Sequence, residues 1–124
     1  MATYGDLMSV NIATGVETRT PVDDAWIRAN TRQIVLSANK VSITADGVDQ
    51  AIVTAQLTTL PLLDDSVENI SEAVTLDFEV DGVRHRMVLD AQGALQFALD
   101  TTRAGTYTVQ CVTINSNVLT ITAV

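Results

Sequence analysis

His85 and Cys111 are the only side chains of their kinds in this 124-residue sequence, and they are the natural candidates for base and nucleophile at neutral pH. A single imidazole leaves no second histidine for a catalytic or metal-binding pair, and a single thiol forbids an intrachain disulfide. No Cys/His spacing suits zinc. The carboxylates gather where the chain is expected to turn: Asp46 and Asp49, Asp64 and Asp65, Asp81, Asp90 and Asp100. Oxygen clusters of this sort can hold calcium. This spacing matches no calcium loop, however, so the expected work of these carboxylates is to accept backbone N–H groups in turns. The sequence has no glycine-rich phosphate loop, nucleophile elbow or basic patch interleaved with aromatics. The expected assignment is no catalytic residue, no metal ligand and no cofactor, which argues against an enzyme. Lys and Arg total 7 against 15 Asp and Glu, a net charge of -8. That balance opposes contact with nucleic acid or an anionic membrane.

These groups must be positioned by strands. A chain of this length forms one ordinary domain and hides roughly two-thirds of its unfolded surface, so no covalent staple is needed. From Ile34 onward Val, Ile and Thr dominate, and alternating stretches are cut by Asp-Gly, Gln-Gly and Asn-Ser-Asn. The pattern predicts strands from Ile34 to Ala45, Gln50 to Leu60, Val74 to Val80, Val83 to Leu89, Ala94 to Leu99, Gly105 to Ile114 and Val118 to Val124. The expected fold is an all-β, immunoglobulin-like antiparallel β-sandwich of about seven strands with an N-terminal arm. The arm or docking segment covers residues 1–33 and the sandwich residues 34–124.

Asp81-Gly82 predicts a two-residue type I′ turn, because both residues tolerate positive φ. Val80 then pairs with Val83, Phe78 with His85, Leu76 with Met87 and Val74 with Leu89 on the inner face. Glu79 with Arg84 and Asp77 with Arg86 face water, where ion pairs contribute little. His85 is thereby expected inside, hydrogen-bonded near a sheet end. In the last hairpin, parity puts Tyr107, Val109 and Cys111 inward against Ala123, Ile121 and Leu119, with Asn115-Ser116-Asn117 as the loop and Asn117 left-handed. Cys111 is then a small buried hydrophobe. Ala51, Val53, Ala55 and Leu57 form another inward row, and Leu95, Phe97 and Leu99 a third.

The interval from Leu63 to Ala73 breaks the pattern, and Asp65 with Glu68 predicts one capped helical turn bearing Val67 and Ile70. Residues 1–33 show little strand periodicity. Thr20-Pro21-Val22-Asp23 reads as a helix start leading into Trp26 and Ile27, with an extended arm as the alternative. An arm of this length cannot form a core alone. Tyr4, Leu7, Met8, Trp26 and Ile27 either fold back on the domain or anchor a partner, and they are the expected docking residues.

The sequence resembles bacterial immunoglobulin-like domains of the invasin and intimin type over roughly residues 35–124. The resemblance rests on Ala45-Asp46-Gly47 before an alternating strand, Asp90-Ala-Gln-Gly93 before another, and Ala104-Gly-Thr-Tyr107 before the next. It implies a tyrosine corner at Tyr107 and a spacer or binding module without catalysis, of a kind that also decorates bacteriophage capsids and tails. Two features depart from it: the long acidic stretch from Leu63 to Ala73, and residues 1–33, which have no counterpart. The first residues lack the pattern of a secretory signal, and no repeat is present. The expected role is a structural accessory protein of a phage-like virion, a capsid decoration or tail component assembled in a host cytoplasm. Its partners would be other virion proteins, copies of itself and a host surface. The alternative is an adhesin or spacer module at a bacterial cell surface.

Overall fold

The computed structural model describes residues 6–124, with backbone alone for residues 6–9 and 18–21. The strands are β1 (Asp6–Val10), β2 (Glu17–Pro21), β3 (Gln33–Ala38), β4 (Ser42–Ile43), β5 (Ala51–Thr58), β6 (Thr75–Val80), β7 (Val83–Val88), β8 (Ala94–Leu99), β9 (Gly105–Cys111) and β10 (Leu119–Ala123). The helix α1 spans Asp24–Asn30. Two compact units are present: one joins the residues up to Thr31 with Thr59–Glu68, the other Arg32–Thr58 with Asn69–Val124.

The second unit is an immunoglobulin-like sandwich. One sheet has the order β3-β5-β8 and the other β4-β10-β9-β6-β7. Strands β3, β5 and β8 thus stand as A, B and E against β6, β9 and β10 as C, F and G, the Greek-key wiring of that fold. Alternation decides which side chains meet between the sheets. Val53, Ala55, Phe78 and Val109 are fully buried, and Ile34, Leu57, Leu89 and Ile121 are 1% exposed. Phe78 meets Phe97 edge to face, ring centroids 6.3 Å apart at 62°. Burying a side chain of that size stabilises the fold by about 1.5–3 kcal/mol.

The sheets hold five and three strands, one more than the seven expected. The stretch from Ile34 to Ala45 is two strands, not one. Asn39 ends the first: its N–H donates to the Ile52 carbonyl at 3.1 Å and its Oδ1 accepts from the Ile52 N–H at 2.7 Å. The chain then changes sheets, and β4 runs parallel to β10, Ser42 opposite Thr122.

The β6–β7 hairpin has the expected register, from Val80↔Val83 to Thr75↔Val88, with Asp81 at φ 50° and Gly82 at φ 79°. Its inner row is not covered as expected. Val83 is 58% exposed and His85 is exposed, because β7 is the outermost strand of the wider sheet and lies beyond the facing three. The last hairpin keeps its parity but not its register. Tyr107 pairs with Ile121 and Val109 with Leu119, so the loop covers residues 112–118. The reason is that its polar residues close the edge of β3. Asn115 carbonyl accepts from Ile34 N–H at 2.8 Å, and Asn117 accepts from Leu36 N–H at 2.7 Å and donates to its carbonyl at 2.9 Å. Asn117 is not left-handed; among the described non-glycine residues only Asp65 and Asp81 have positive φ.

In the first unit β1 and β2 form a hairpin, Val10 opposite Glu17, where little strand structure was expected. Asn11 builds its turn, with Oδ1 accepting from Ala13 and Thr14 N–H, and Gly15 follows at φ 72°. The expected helical turn after Leu63 is absent. Leu62 N–H donates to Ser66 carbonyl at 2.8 Å, Asp65 N–H to Leu62 carbonyl at 2.9 Å, and Asp65 sits at φ 67°. Glu68 cannot serve a cap there: its carbonyl accepts from Thr59 N–H, and its carboxylate pairs with Arg28. Among the described residues no helix is long and apolar enough to cross a membrane.

Candidate functional site

Helix α1 begins where expected because Asp23 is an N-cap, its Oδ1 accepting from Trp26 N–H at 3.0 Å. Seven residues are too few for a stable isolated helix, and tertiary bonds hold this one. Asp24 accepts from Leu63 N–H at 3.0 Å. Thr31 Oγ1 donates to Ile27 carbonyl at 2.7 Å and accepts from Leu60 N–H at 3.0 Å. Glu68 hydrogen-bonds Arg28 and raises the guanidinium pKa above its ordinary value.

The result is an open groove of about 450 Å³ lined by Val22, Trp26, Ile27, Thr31, Leu60, Pro61 and Asp65. Of the expected docking residues, Trp26 is half-buried on its wall and Ile27, 3% exposed, is packed within the unit. Tyr4 lies outside the described residues, as do the side chains of Leu7 and Met8. An indole beside apolar walls, with a carboxylate at the rim, can take an apolar or long basic side chain. Leu60, Pro61 and Asp65 were not expected here. The apolar run Leu60-Pro61-Leu62-Leu63 just ahead of the acidic stretch was the available signal.

In the sandwich, a cavity of about 130 Å³ lies between Ile43, Val80, Leu99 and Ile121, with Asp81, Asp100, Thr101 and Tyr107 around it. Tyr107 makes the expected corner. Its hydroxyl donates to Arg103 carbonyl at 2.6 Å and lies 3.2 Å from Thr101 Oγ1. The Thr101 hydroxyl, then Arg103, draws the phenol below its ordinary pKa.

The chemistry-bearing residues do not converge. His85 stands on β7 and Cys111 on β9, on opposite sides of β6, both in register with Phe78. Cys111 is buried at 7% exposure, as expected, and its N–H donates to Ser116 Oγ at 2.9 Å. Asp46, Asp49, Asp64 and Asp90 bind their own loops, whereas Asp100 accepts from Gln50 Nε2 at 3.1 Å. Asp46 accepts from Val48 and Asp49 N–H at 2.9 and 2.8 Å, bonds that hold it below the ordinary carboxylate range. Asp49 is lowered by Lys40 first and by Thr44 N–H next. Asp90 accepts from Gln92 and Ala94 N–H, and Asp64 is lowered by the Ser66 hydroxyl and N–H. Among the described residues no group of His, Cys, Asp or Glu is placed to hold a metal ion.

No family model matches the chain, and no curated protein matches it. Among solved structures it is similar to the D00-D0 domain of intimin, at 12% identity and a TM-score of 0.49, covering 94% of this chain and 62% of that one. It is also similar to the D0-D1 domain of intimin, at 13% identity and a TM-score of 0.46, covering 91% of this chain and 58% of that one. The chain therefore spans about three-fifths of the length of each structure it matches. Both are domains of the kind its turn motifs resemble.

Proposed function

We propose that the chain is a non-enzymatic immunoglobulin-like adhesion or spacer module, a stiff element that separates binding surfaces and carries tension along its strands. The observation that supports this reading is where the chain enters and leaves the sandwich. Gln33 pairs with Thr58 at one end of β5. Val124 lies at the other: its carbonyl accepts from Ala45 N–H at 2.9 Å, and Gly47 N–H donates to Thr101, just past the Ala51↔Leu99 pair. The two points are separated by the length of β5, about 24 Å at strand rise. Tension applied between them pulls β4 and β10 past each other, because those strands are parallel and lead to opposite ends. The bonds that take that shear together with the β4–β10 ladder include Thr122 N–H to Val41 carbonyl at 2.8 Å, Val124 N–H to Ile43 carbonyl at 3.0 Å, and Ala45 N–H to Val124 carbonyl.

Single-molecule stretching between residues 33 and 124 tests the reading. Thr122→Pro deletes a donor aimed at β4 and not at β9, and it should lower the unfolding force more than it lowers thermal stability. Unfolding at equal force in both proteins would refute load bearing.

A second reading, an accessory protein of a phage-like particle docked through its leading segment, is favoured by the Trp26 groove. Under it, Trp26→Ala abolishes incorporation into particles while the sandwich melts unchanged. Incorporation at the wild-type level counts against it.

A further inference from the structure

Sheet edges present unpaired N–H and C=O groups, and folded proteins blunt them with charge, shortness or cover. Three edges of this sandwich are blunted. The outer edge of β3 is occupied by Asn115, Ser116 and Asn117. Strand β4 has two residues. Strand β7 carries Arg84, His85 and Arg86 in succession. Among the described residues the fourth edge, β8, is covered only at Ala94. It is the last strand of its sheet, and no charged residue occurs between Asp90 and Asp100.

The ladder shows which groups are open. Leu57 N–H donates to Gly93 carbonyl at 2.8 Å, and β5 pairs with β8 in the same register. Hydrogen-bonded and non-bonded pairs alternate in an antiparallel ladder, so Leu95, Phe97 and Leu99 turn their backbone groups toward β5. Ala94, Gln96 and Ala98 turn theirs outward. The Ala94 groups are taken by Asp90, whose Oδ1 accepts from Ala94 N–H and whose N–H donates to Ala94 carbonyl. Among the described residues, those of Gln96 and Ala98 remain open. The side chains on the inner row of β8, Leu95, Phe97 and Leu99, are only half-buried.

We propose that β8 is the interface for a second copy of this chain, joined antiparallel about a two-fold axis at Phe97. The strand Ala-Leu-Gln-Phe-Ala-Leu is complementary to itself in that register. Gln96 stands opposite Ala98 of the second copy and Ala98 opposite its Gln96, which are the residues with outward backbone groups, so both pairs form ladder bonds. On the inner row Phe97 meets Phe97 of the second copy, and Leu95 meets its Leu99, so three half-buried side chains on each copy gain a neighbour. From Leu95 to Leu99 no charge opposes a like charge; at each end Asp100 comes opposite Ala94 of the second copy, whose outward groups Asp90 holds, so the ladder is confined to the Gln96 and Ala98 pairs. Two three-stranded sheets become one continuous sheet of six.

Sedimentation of the full chain over a wide concentration range, up to millimolar, tests the proposal. A reversible dimer is expected, and it tightens with added salt because each copy carries a net charge of -8. Gln96 and Ala98 are exposed, so charged variants there keep the wild-type melting temperature. Gln96→Lys with Ala98→Lys places ammonium groups opposite one another and weakens the dimer at least ~tenfold, as does Gln96→Glu with Ala98→Glu. Mixed together, the two folded variants pair one to one. A wild-type chain that stays monomeric throughout overturns the proposal and leaves this edge to a strand of another protein. A dimer that both variants form at wild-type affinity overturns it equally.

Discussion

Gly93 and Gly82 have nearly the same backbone conformation, φ 75° and 79°, but different surroundings, and this pair separates steric from conformational cost. A Cβ on Gly82 would meet nothing within 4 Å, whereas one on Gly93 would stand 2.0 Å from the Ile70 carbonyl oxygen and 3.3 Å from Leu57 Cβ. Gly82→Ala therefore costs only the left-handed strain of an L-residue, about 1–2 kcal/mol. Gly93→Ala costs that and also drives Ile70 away, although Ile70 N–H is bonded to Leu57 carbonyl at 2.8 Å. Overpacking adds ~1–3 kcal/mol and the strained hydrogen bond ~1 kcal/mol, so the total is ~3–6 kcal/mol. For 124 residues the unfolding entropy is about 0.26 kcal/mol/K. Melting should thus fall by ~12–23 K for Gly93→Ala and ~4–8 K for Gly82→Ala. Calorimetry measures both. Equal shifts would mean that Ile70 does not pass over Gly93, and the account of the Asp90-to-Gly93 motif would fail with it.

Two further outcomes follow from the loops and the outer strand. Asp46 is held below the ordinary carboxylate range by Asp49 and Val48 N–H, and Asp49 by Lys40 and Thr44 N–H. Depressed folded values mean that these groups stabilise the fold fully above the unfolded value near ~3.9 and lose that effect as pH falls through the lower folded values. Asp46→Asn, which still accepts but does not titrate, should flatten the loss of melting temperature between pH ~5 and ~2; an unchanged acid limb would contradict the bonds. His85→Ala should alter stability by no more than ~0.5 kcal/mol in urea unfolding, because the ring is exposed. A loss well above that would restore the inward placement its parity suggested.

What the sequence disclosed is what local chemistry and parity determine. Asp81-Gly82 set the β6–β7 register residue by residue, and Asp23 after Pro21 set the start of α1. Tyr107 two positions after Gly105 marked the corner. The hairpin of β1 and β2 was missed because Thr18 and Thr20 alternate with Glu17 and Arg19 and not with apolar residues, so no hydrophobic period marked it. Its one clue was Asn11 four residues before Gly15. The groove around Trp26 was half legible. The helix side follows from α1, but Leu60, Pro61 and Asp65 come from a loop some thirty-five residues later in the chain, and no local rule pairs the two.

Parity says which face of a sheet a side chain occupies, but it does not say whether anything lies opposite. His85 and Phe78 are on the same face, in register, yet Phe78 is fully buried and His85 is exposed. The difference is the width of the two sheets, five strands against three, and width is set by where strands change sheets. One such change occurs at Asn39, where a backbone bond and a side-chain bond to Ile52 end β3 and β4 goes to the far side of β10. That move widens the sheet only at the edge away from β7; at the β7 edge the overhang arises because the facing sheet stops at β8. The short connection from Leu89 to Gly93 carries the chain straight from β7 to β8, so no strand is laid beside β8. The uncovered row on β7 and the unpaired groups on β8 are thus one consequence of the wiring, although only one of the two edges carries charge against association. The β7 edge, with Arg84 and Arg86, is built to stay in water; the β8 edge, uncharged from Ala91 to Leu99, is built to be met.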